Sequence, residues 1–358
     1  MKGNEALAEA ALRAGMQAYF GYPITPQTEI MEYLAVQSPQ HPDVVILQAE
    51  SELAAINMVH GASGAGARAM ISSSSPGISL MQECLSYMAS AQLPALVVNV
   101  QRGGPGLGTI QPSQADYFQA VKGGGHGDYH LIVLAPSTVQ EMVDFVFDAF
   151  RLTEKYRNPA MILADGALGQ MMEKVTLPAA GSLPKMEAPW ATTGKGTVRE
   201  RNIVGKGQAR ERNIITSLFI QPERMEKLNL ILQEKYRQLQ KEVRWEENKT
   251  EDADIVIVAF GLTSRICDKA MNLAREKGIK VGSLRPITLY PFPTDAIAKL
   301  AERAKAFLTV EMNAGQMVQD VRLAVNGKKE VNFYGRMGGM IPSPEEVLTK
   351  IESIAAKL

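Results

Sequence analysis

The chain has 358 residues, 46% hydrophobic and 21% charged, enough for about two domains at roughly 100–200 residues each. Lysine plus arginine equals aspartate plus glutamate at 38 each, so no global field draws nucleic acid or anionic lipid. Cys84 and Cys267 are the only cysteines and form no Cys-x-x-Cys pair, which excludes a disulfide framework and falls short of the four ligands an iron–sulfur cluster normally takes.

The N-terminus, Met1-Lys2-Gly3-Asn4-Glu5, lacks the apolar core of a signal peptide. No stretch approaches the ~20 apolar residues of a membrane span. The expectation is a cytoplasmic protein with no membrane segment, and any one-electron chemistry belongs to another chain. Residues 1–175 alternate candidate strands (18–20, 44–47, 69–71, 96–100, 131–134, 161–163) with amphipathic stretches such as 139–152, where Met142, Val143, Val146, Phe147 and Phe150 share a face. That rhythm predicts an α/β domain with a doubly wound, mostly parallel sheet.

Several motifs sit at the predicted strand ends, where open α/β sheets bind ligands. After the first strand comes Gly21-Tyr22-Pro23-Ile24-Thr25-Pro26-Gln27-Thr28-Glu29. Taken alone, Thr25 reads as a helix N-cap and Pro26 as the first helical residue. Residues 44–47 read as a buried strand, leading to Glu50-Ser51-Glu52 and then to apolar residues at helical spacing. Acids are common in a first helical turn, but only Glu52 opens the small, apolar pattern Glu-x-Ala-Ala-x-x-Met. Ser72-Ser73-Ser74-Ser75-Pro76-Gly77 links strand 69–71 to a helix. Its small residues would let a flat ring approach the backbone, although any one serine also suits a polar turn.

Arg102 follows strand 96–100 in Gln101-Arg102-Gly103-Gly104-Pro105-Gly106-Leu107-Gly108. A guanidinium at a strand end can pair bidentately with a small carboxylate. Gly123-Gly124-Gly125-His126-Gly127-Asp128 offers His126 as a proton shuttle, although a lone histidine in a glycine loop is more often structural. Asp165-Gly166 lacks the first glycine and the following asparagine of a magnesium–diphosphate motif, and is rejected as a metal site.

Residues 176–250 read as a connection. Prolines 178, 184 and 189 precede an arginine-rich echo, 198–204 and 209–215, which reads as a solvated linker or a strap around a partner or the other domain. A helix is expected over 222–245, with Met225, Leu228, Leu232, Tyr236, Leu239 and Val243 as a packing stripe. Residues 251–358 restart the rhythm with strands at 255–259, 280–284 and 306–310, a second, smaller α/β domain.

The Gly21–Glu29 run and the Glu52 helix resemble the alpha subunits of 2-oxoacid:ferredoxin oxidoreductases, which carry the pyrimidine-binding domain of a thiamine diphosphate enzyme. Leu284-Arg285-Pro286-Ile287-Thr288, Val310-Glu311-Met312-Asn313-Ala314-Gly315-Gln316 and Gly335-Arg336-Met337-Gly338-Gly339 extend the likeness over nearly the whole chain. Gly103 to Gly108, Gln111-Pro112-Ser113-Gln114 and Gly125-His126-Gly127-Asp128 make it most similar to the 2-ketoisovalerate type; the 2-oxoglutarate type is very similar. A thiamine-dependent carboligase or transketolase-like subunit without redox chemistry is one other reading, and a non-enzymatic α/β binding or scaffold module is a second.

The resemblance implies that residues 251–358 form a transketolase C-terminal-like domain. It implies thiamine diphosphate shared with a partner, Glu52 bonding a ring nitrogen of the cofactor, and Pro23, Ile24, Ser74 and Ser75 beside the ring. Thr25 and Arg102 would bind the 2-oxoacid carboxylate. It further implies a beta subunit with the magnesium–diphosphate site, gamma and ferredoxin-type delta subunits with iron–sulfur clusters, coenzyme A as co-substrate, and ferredoxin as acceptor.

Overall fold

The computed structural model describes residues 1–192 and 213–358. Their strands are β1 (Ala18–Gly21), β2 (Val45–Gln48), β3 (Ala69–Ser73), β4 (Leu96–Gln101), β5 (Ile132–Leu134), β6 (Ala160–Asp165), β7 (Trp245–Asn248), β8 (Ile255–Val258), β9 (Val281–Pro286), β10 (Thr288–Tyr290), β11 (Ala306–Glu311) and β12 (Glu330–Gly335). A seven-stranded sheet runs β10-β5-β6-β4-β3-β1-β2, and a five-stranded sheet runs β12-β11-β8-β9-β7. Only the edge strands β10 and β7 pair antiparallel, with β5 and β9.

Sheets covered on both faces have strands that read as unbroken apolar runs. In β4, Val97 faces one packed layer with Ile56 and Met81 of the helices Glu52–Gly64 and Ser75–Ser90. Its neighbour Val98 faces the other, with Leu7 of Gly3–Arg13 and Met142 of Val139–Tyr156. Pleating sends successive side chains to opposite faces, so one strand serves both layers.

Two expectations are corrected, and one strand pairing was not foreseen. The run 44–47 is not a buried strand: Val45 and Leu47 are 52% and 41% exposed. β2 is the sheet edge with β1 as its one neighbour, so its apolar side chains meet solvent in the single chain. The long helix is Pro222–Leu239, followed by a short 3-10 turn, and Trp245 opens β7 instead. Pairing with β9 overrides the helical stripe. Leu228, Leu232, Tyr236 and Leu239 of that stripe pack into the first sheet's apolar layer. Finally, β10 leaves the C-terminal region to complete the first sheet, a crossing no local pattern announces.

The connection after residue 176 lies against the first domain at several points. Arg68 donates to the Pro184 carbonyl, Thr192 to the Gly64 carbonyl, and Arg157 stacks over Trp190 at 4.6 Å. Of the arginine-rich echo, only Asn213, Ile214 and Ile215 fall among the described residues.

Candidate active site

Glu52 is the first residue of its helix, capped by Ser51, whose Oγ accepts from the Ala54 N–H. Its side chain is only 5% exposed. Ser73, the last residue of β3, donates its hydroxyl to Glu52 Oε1 at 3.1 Å. Gly77 makes this fit: a Cβ there would lie 2.3 Å from Glu52 Oε1 and 2.1 Å from Ser73 Oγ. Ser74 caps the next helix but uses its backbone only, and its Oγ is buried without a partner. A buried polar atom left unpaired at this cost marks a place where a ligand group would be welcome.

The following serine turns to Arg102. Ser75 Oγ donates to Asp116 Oδ2 at 2.6 Å and accepts the Arg102 N–H at 3.1 Å. Thus two serines at one strand end, Ser73 and Ser75, contact Glu52 and the Arg102 backbone in turn. The Arg102 guanidinium donates to the Thr25 carbonyl at 3.0 Å and the Leu107 carbonyl at 2.9 Å, while its Nε is buried with no partner. Burial pushes the Asp116 carboxyl up, and the bonds from Ser75 and Asn99 pull it back.

Thr25 therefore meets Arg102, but not as a helix cap. The helix begins at Thr28 with Gln27 before it, and the 22–27 loop is pinned by side chains instead. Asn4 donates to the Pro26 carbonyl at 2.7 Å, and Gln27 Nε2 donates to the Tyr22 carbonyl. Gln27 Oε1 accepts from Ser72, which also contacts Tyr19. Pro23 and Ile24 are half-buried and Thr25 is exposed in this loop. His126 is not brought into the group: it is exposed, edge-on to Tyr87 with the ring centroids 6.4 Å apart. Sequence reasoning missed Gln27, Ser72, Gln114 and Asp116; the polar run Ser113-Gln114-Ala115-Asp116 after a glycine loop was the available signal for the last two.

A cavity of about 440 Å³ opens beside Arg102, between its glycine loop and Met312, Asn313 and Met337 of the C-terminal region. The seam below it is polar, and its Gln114 and Glu311 side chains are paired. Gln114 Nε2 donates to the Phe260 carbonyl, and its Oε1 accepts from Thr263 and from the Met312 N–H. Buried Glu311 accepts the N–H groups of Gln316, Met317 and Val318 and the Asn313 amide, and burial pushes its carboxyl up. Asp165 Oδ1 caps the helix Gly166–Gln170 through the Ala167 and Leu168 N–H groups. Burial raises its pKa to about 6, and a bond from the Leu262 backbone reaches it across the seam.

Two family models match this chain. The thiamine-diphosphate-binding model of pyruvate flavodoxin/ferredoxin oxidoreductase covers residues 9–237, and core domain II of pyruvate:ferredoxin oxidoreductase covers 253–347. The chain belongs to the 2-oxoacid:ferredoxin oxidoreductase family, as a subunit of the alpha type. It is 48% identical to ketoisovalerate oxidoreductase subunit VorB of Methanothermobacter marburgensis, over 100% of this chain and 98% of that protein. It is 38% identical to the 2-oxoglutarate synthase subunit KorA of the same organism, over 98% and 97%. A 2-oxoglutarate:ferredoxin oxidoreductase from Magnetococcus marinus, solved with 2-oxoglutarate, coenzyme A and succinyl-CoA, aligns with a TM-score of 0.86 and 29% identity; this chain spans 64% of that one. A split-gene transketolase, at 13% identity and a TM-score of 0.62, shares the fold.

Proposed function

We propose that this chain is the pyrimidine-binding subunit of an enzyme that oxidatively decarboxylates 2-ketoisovalerate or a similar branched-chain 2-oxoacid. With coenzyme A and oxidised ferredoxin, the reaction gives acyl-CoA, carbon dioxide and reduced ferredoxin. Thiamine diphosphate, when bound, supplies the heterocycle that accepts electrons as carbon dioxide leaves. The observation that carries the reading is Glu52: nearly buried, with Oε1 held by Ser73 and room for it kept by Gly77. Its other oxygen has no side-chain donor among the described residues, and would face the aminopyrimidine nitrogen. The unpaired Ser74 Oγ fits the same polar ring edge, while Pro23, Ile24 and Ser75 would border it.

Thr25 and Arg102 would hold the substrate carboxylate, with the unpaired Arg102 Nε as a free donor. Arg102 is the one cation among the described residues lining its cavity. A 2-oxoglutarate-type substrate would need a second, for its distal carboxylate; an apolar branched chain needs none.

The magnesium and the diphosphate grip are assigned to a beta subunit, since Asp165 is occupied as a helix cap. Iron–sulfur clusters are assigned to gamma and delta subunits, since both cysteines are buried and only two. Exposed Val45, Leu47, Leu53 and Met58, on the strand and helix flanking Glu52, support a partner closing over the site. No helix among the described residues is long and apolar enough to cross a membrane, and two free thiols suit the reducing cytoplasm.

The test is Glu52→Gln in the complex assembled with its partner subunits. Proton-transfer groups of this kind contribute about 10²–10⁴-fold, so decarboxylation should fall by about 10³-fold with assembly and melting temperature unchanged. Full residual activity would overturn the assignment, and a higher kcat/KM for 2-oxoglutarate than for 2-ketoisovalerate would overturn the substrate.

A further inference from the structure

We infer that Asp116 is the positioning residue of Arg102, acting through Ser75. The inference rests on the reading of Arg102 as the substrate-carboxylate group. Asp116 Oδ2 accepts from Ser75 Oγ at 2.6 Å and from Asn99 Nδ2 at 2.9 Å. Ser75 Oγ in turn accepts the Arg102 N–H at 3.1 Å. A hydroxyl has one proton and two lone pairs. With its proton committed to Asp116, Ser75 must present a lone pair to Arg102.

Without Asp116, the next acceptor for that proton is the Arg102 carbonyl, 3.2 Å away. The hydroxyl would then rotate, and its lone pairs would no longer be held in line with the Arg102 N–H. The tip of the following glycine loop is open, since a Cβ on Gly104 or Gly106 would meet nothing within 4 Å, while its base is tied by the Gly103 N–H to the Gln111 carbonyl at 2.9 Å. The Ser75 bond fixes the Arg102 backbone, and from there the guanidinium reaches the Thr25 and Leu107 carbonyls.

Asp116 is itself held from two sides. Its N–H donates to Gln101 Oε1 at 3.1 Å, and Gln114, two residues earlier, is fixed across the seam to Phe260 and Met312. Asp116 also lines the cavity that Arg102 enters. The C-terminal region thus reaches the substrate arginine through Gln114, Asp116 and Ser75 in turn.

The experiment is a double-mutant cycle on KM for the 2-oxoacid in the assembled complex. Asp116→Ala should raise KM about 10–30-fold, the size of a lost charge-assisted bond, with kcat within about threefold and KM for coenzyme A unchanged. Asp116→Asn keeps an acceptor for Ser75 and should raise KM only about two- to fourfold. Arg102→Ala should raise KM further than either, and adding Asp116→Ala to it should change nothing, because coupled residues are not additive.

If Arg102→Ala leaves KM unchanged, the reading of Arg102 fails whatever Asp116 does. If Arg102→Ala raises KM but Asp116→Ala does not, or the two effects multiply, the positioning role is overturned. Should Asp116→Ala fail to fold, Ser75→Ala carries the same cycle: a KM rise of about three- to tenfold, absent in the Arg102→Ala background, supports the role, and a multiplying effect overturns it.

Discussion

The strand-end cluster around Glu52 and the seam around Gln114 are both buried and polar, yet they are paired differently. In the seam, Gln114 uses its amide, its carbonyl oxygen and its backbone, and the Glu311 carboxylate takes four donors. In the cluster, Ser74 Oγ, Asn99 Oδ1 and Arg102 Nε are left without partners. Buried polar groups that hold a fold together are satisfied within the chain. Groups that await a ligand stay open at a cost in stability, which the ligand repays on binding.

This contrast can be broken from either side. The largest effect belongs to the seam: Glu311→Ala should strand several buried donors and cost at least about 3 kcal/mol, read as a lower melting temperature with KM for the 2-oxoacid unmoved. Next is Asp165. Its carboxyl rises from 3.8 to about 6 on burial, so the folded state binds a proton more readily than the unfolded one. Stability should therefore fall as pH rises through that window, by at most about 3 kcal/mol. Asp165→Asn should flatten this slope in denaturant titrations at several pH values, and an unchanged slope would refute the cause.

On the cluster side, Gly77→Ala drives a methyl into Glu52 and Ser73. Displacement by about an ångström is worth about 10²-fold in rate, and turnover should drop accordingly in the assembled enzyme. Smallest is Ser73→Ala, which removes one donor to Glu52. It should slow turnover about fivefold, the rate equivalent of about 1 kcal/mol, without a shift in melting temperature. If Ser73→Ala destabilised the chain as much as Glu311→Ala, the two regions would not differ in kind.

What can be read from the sequence follows the range of the interactions. Central parallel strands are continuous apolar runs, so β4, β6, β8 and β11 are visible in residues 96–100, 161–163, 255–259 and 306–310. β10 has three residues and exists only by pairing with β5, more than 150 positions earlier in the chain. Apolar content misleads at β2, because composition marks a strand without saying which neighbours cover it. Glu52 is legible from its place before a run of small residues, and Arg102 from its glycine loop. Gln27 is not, and the polar run 113–116 marks Asp116 without giving its role, because the residues that give them meaning, Ser72 and Ser75, lie more than 40 positions away.

The loan of β10 to the first sheet bears on how this polypeptide is made. While the ribosome has released only the N-terminal half, β5 is an open edge whose unpaired backbone groups invite pairing with other chains. The sheet closes only after Tyr290 has emerged. Severing the gene between the two regions would leave that edge bare, so the halves are expected to be recovered in soluble form only when synthesised together.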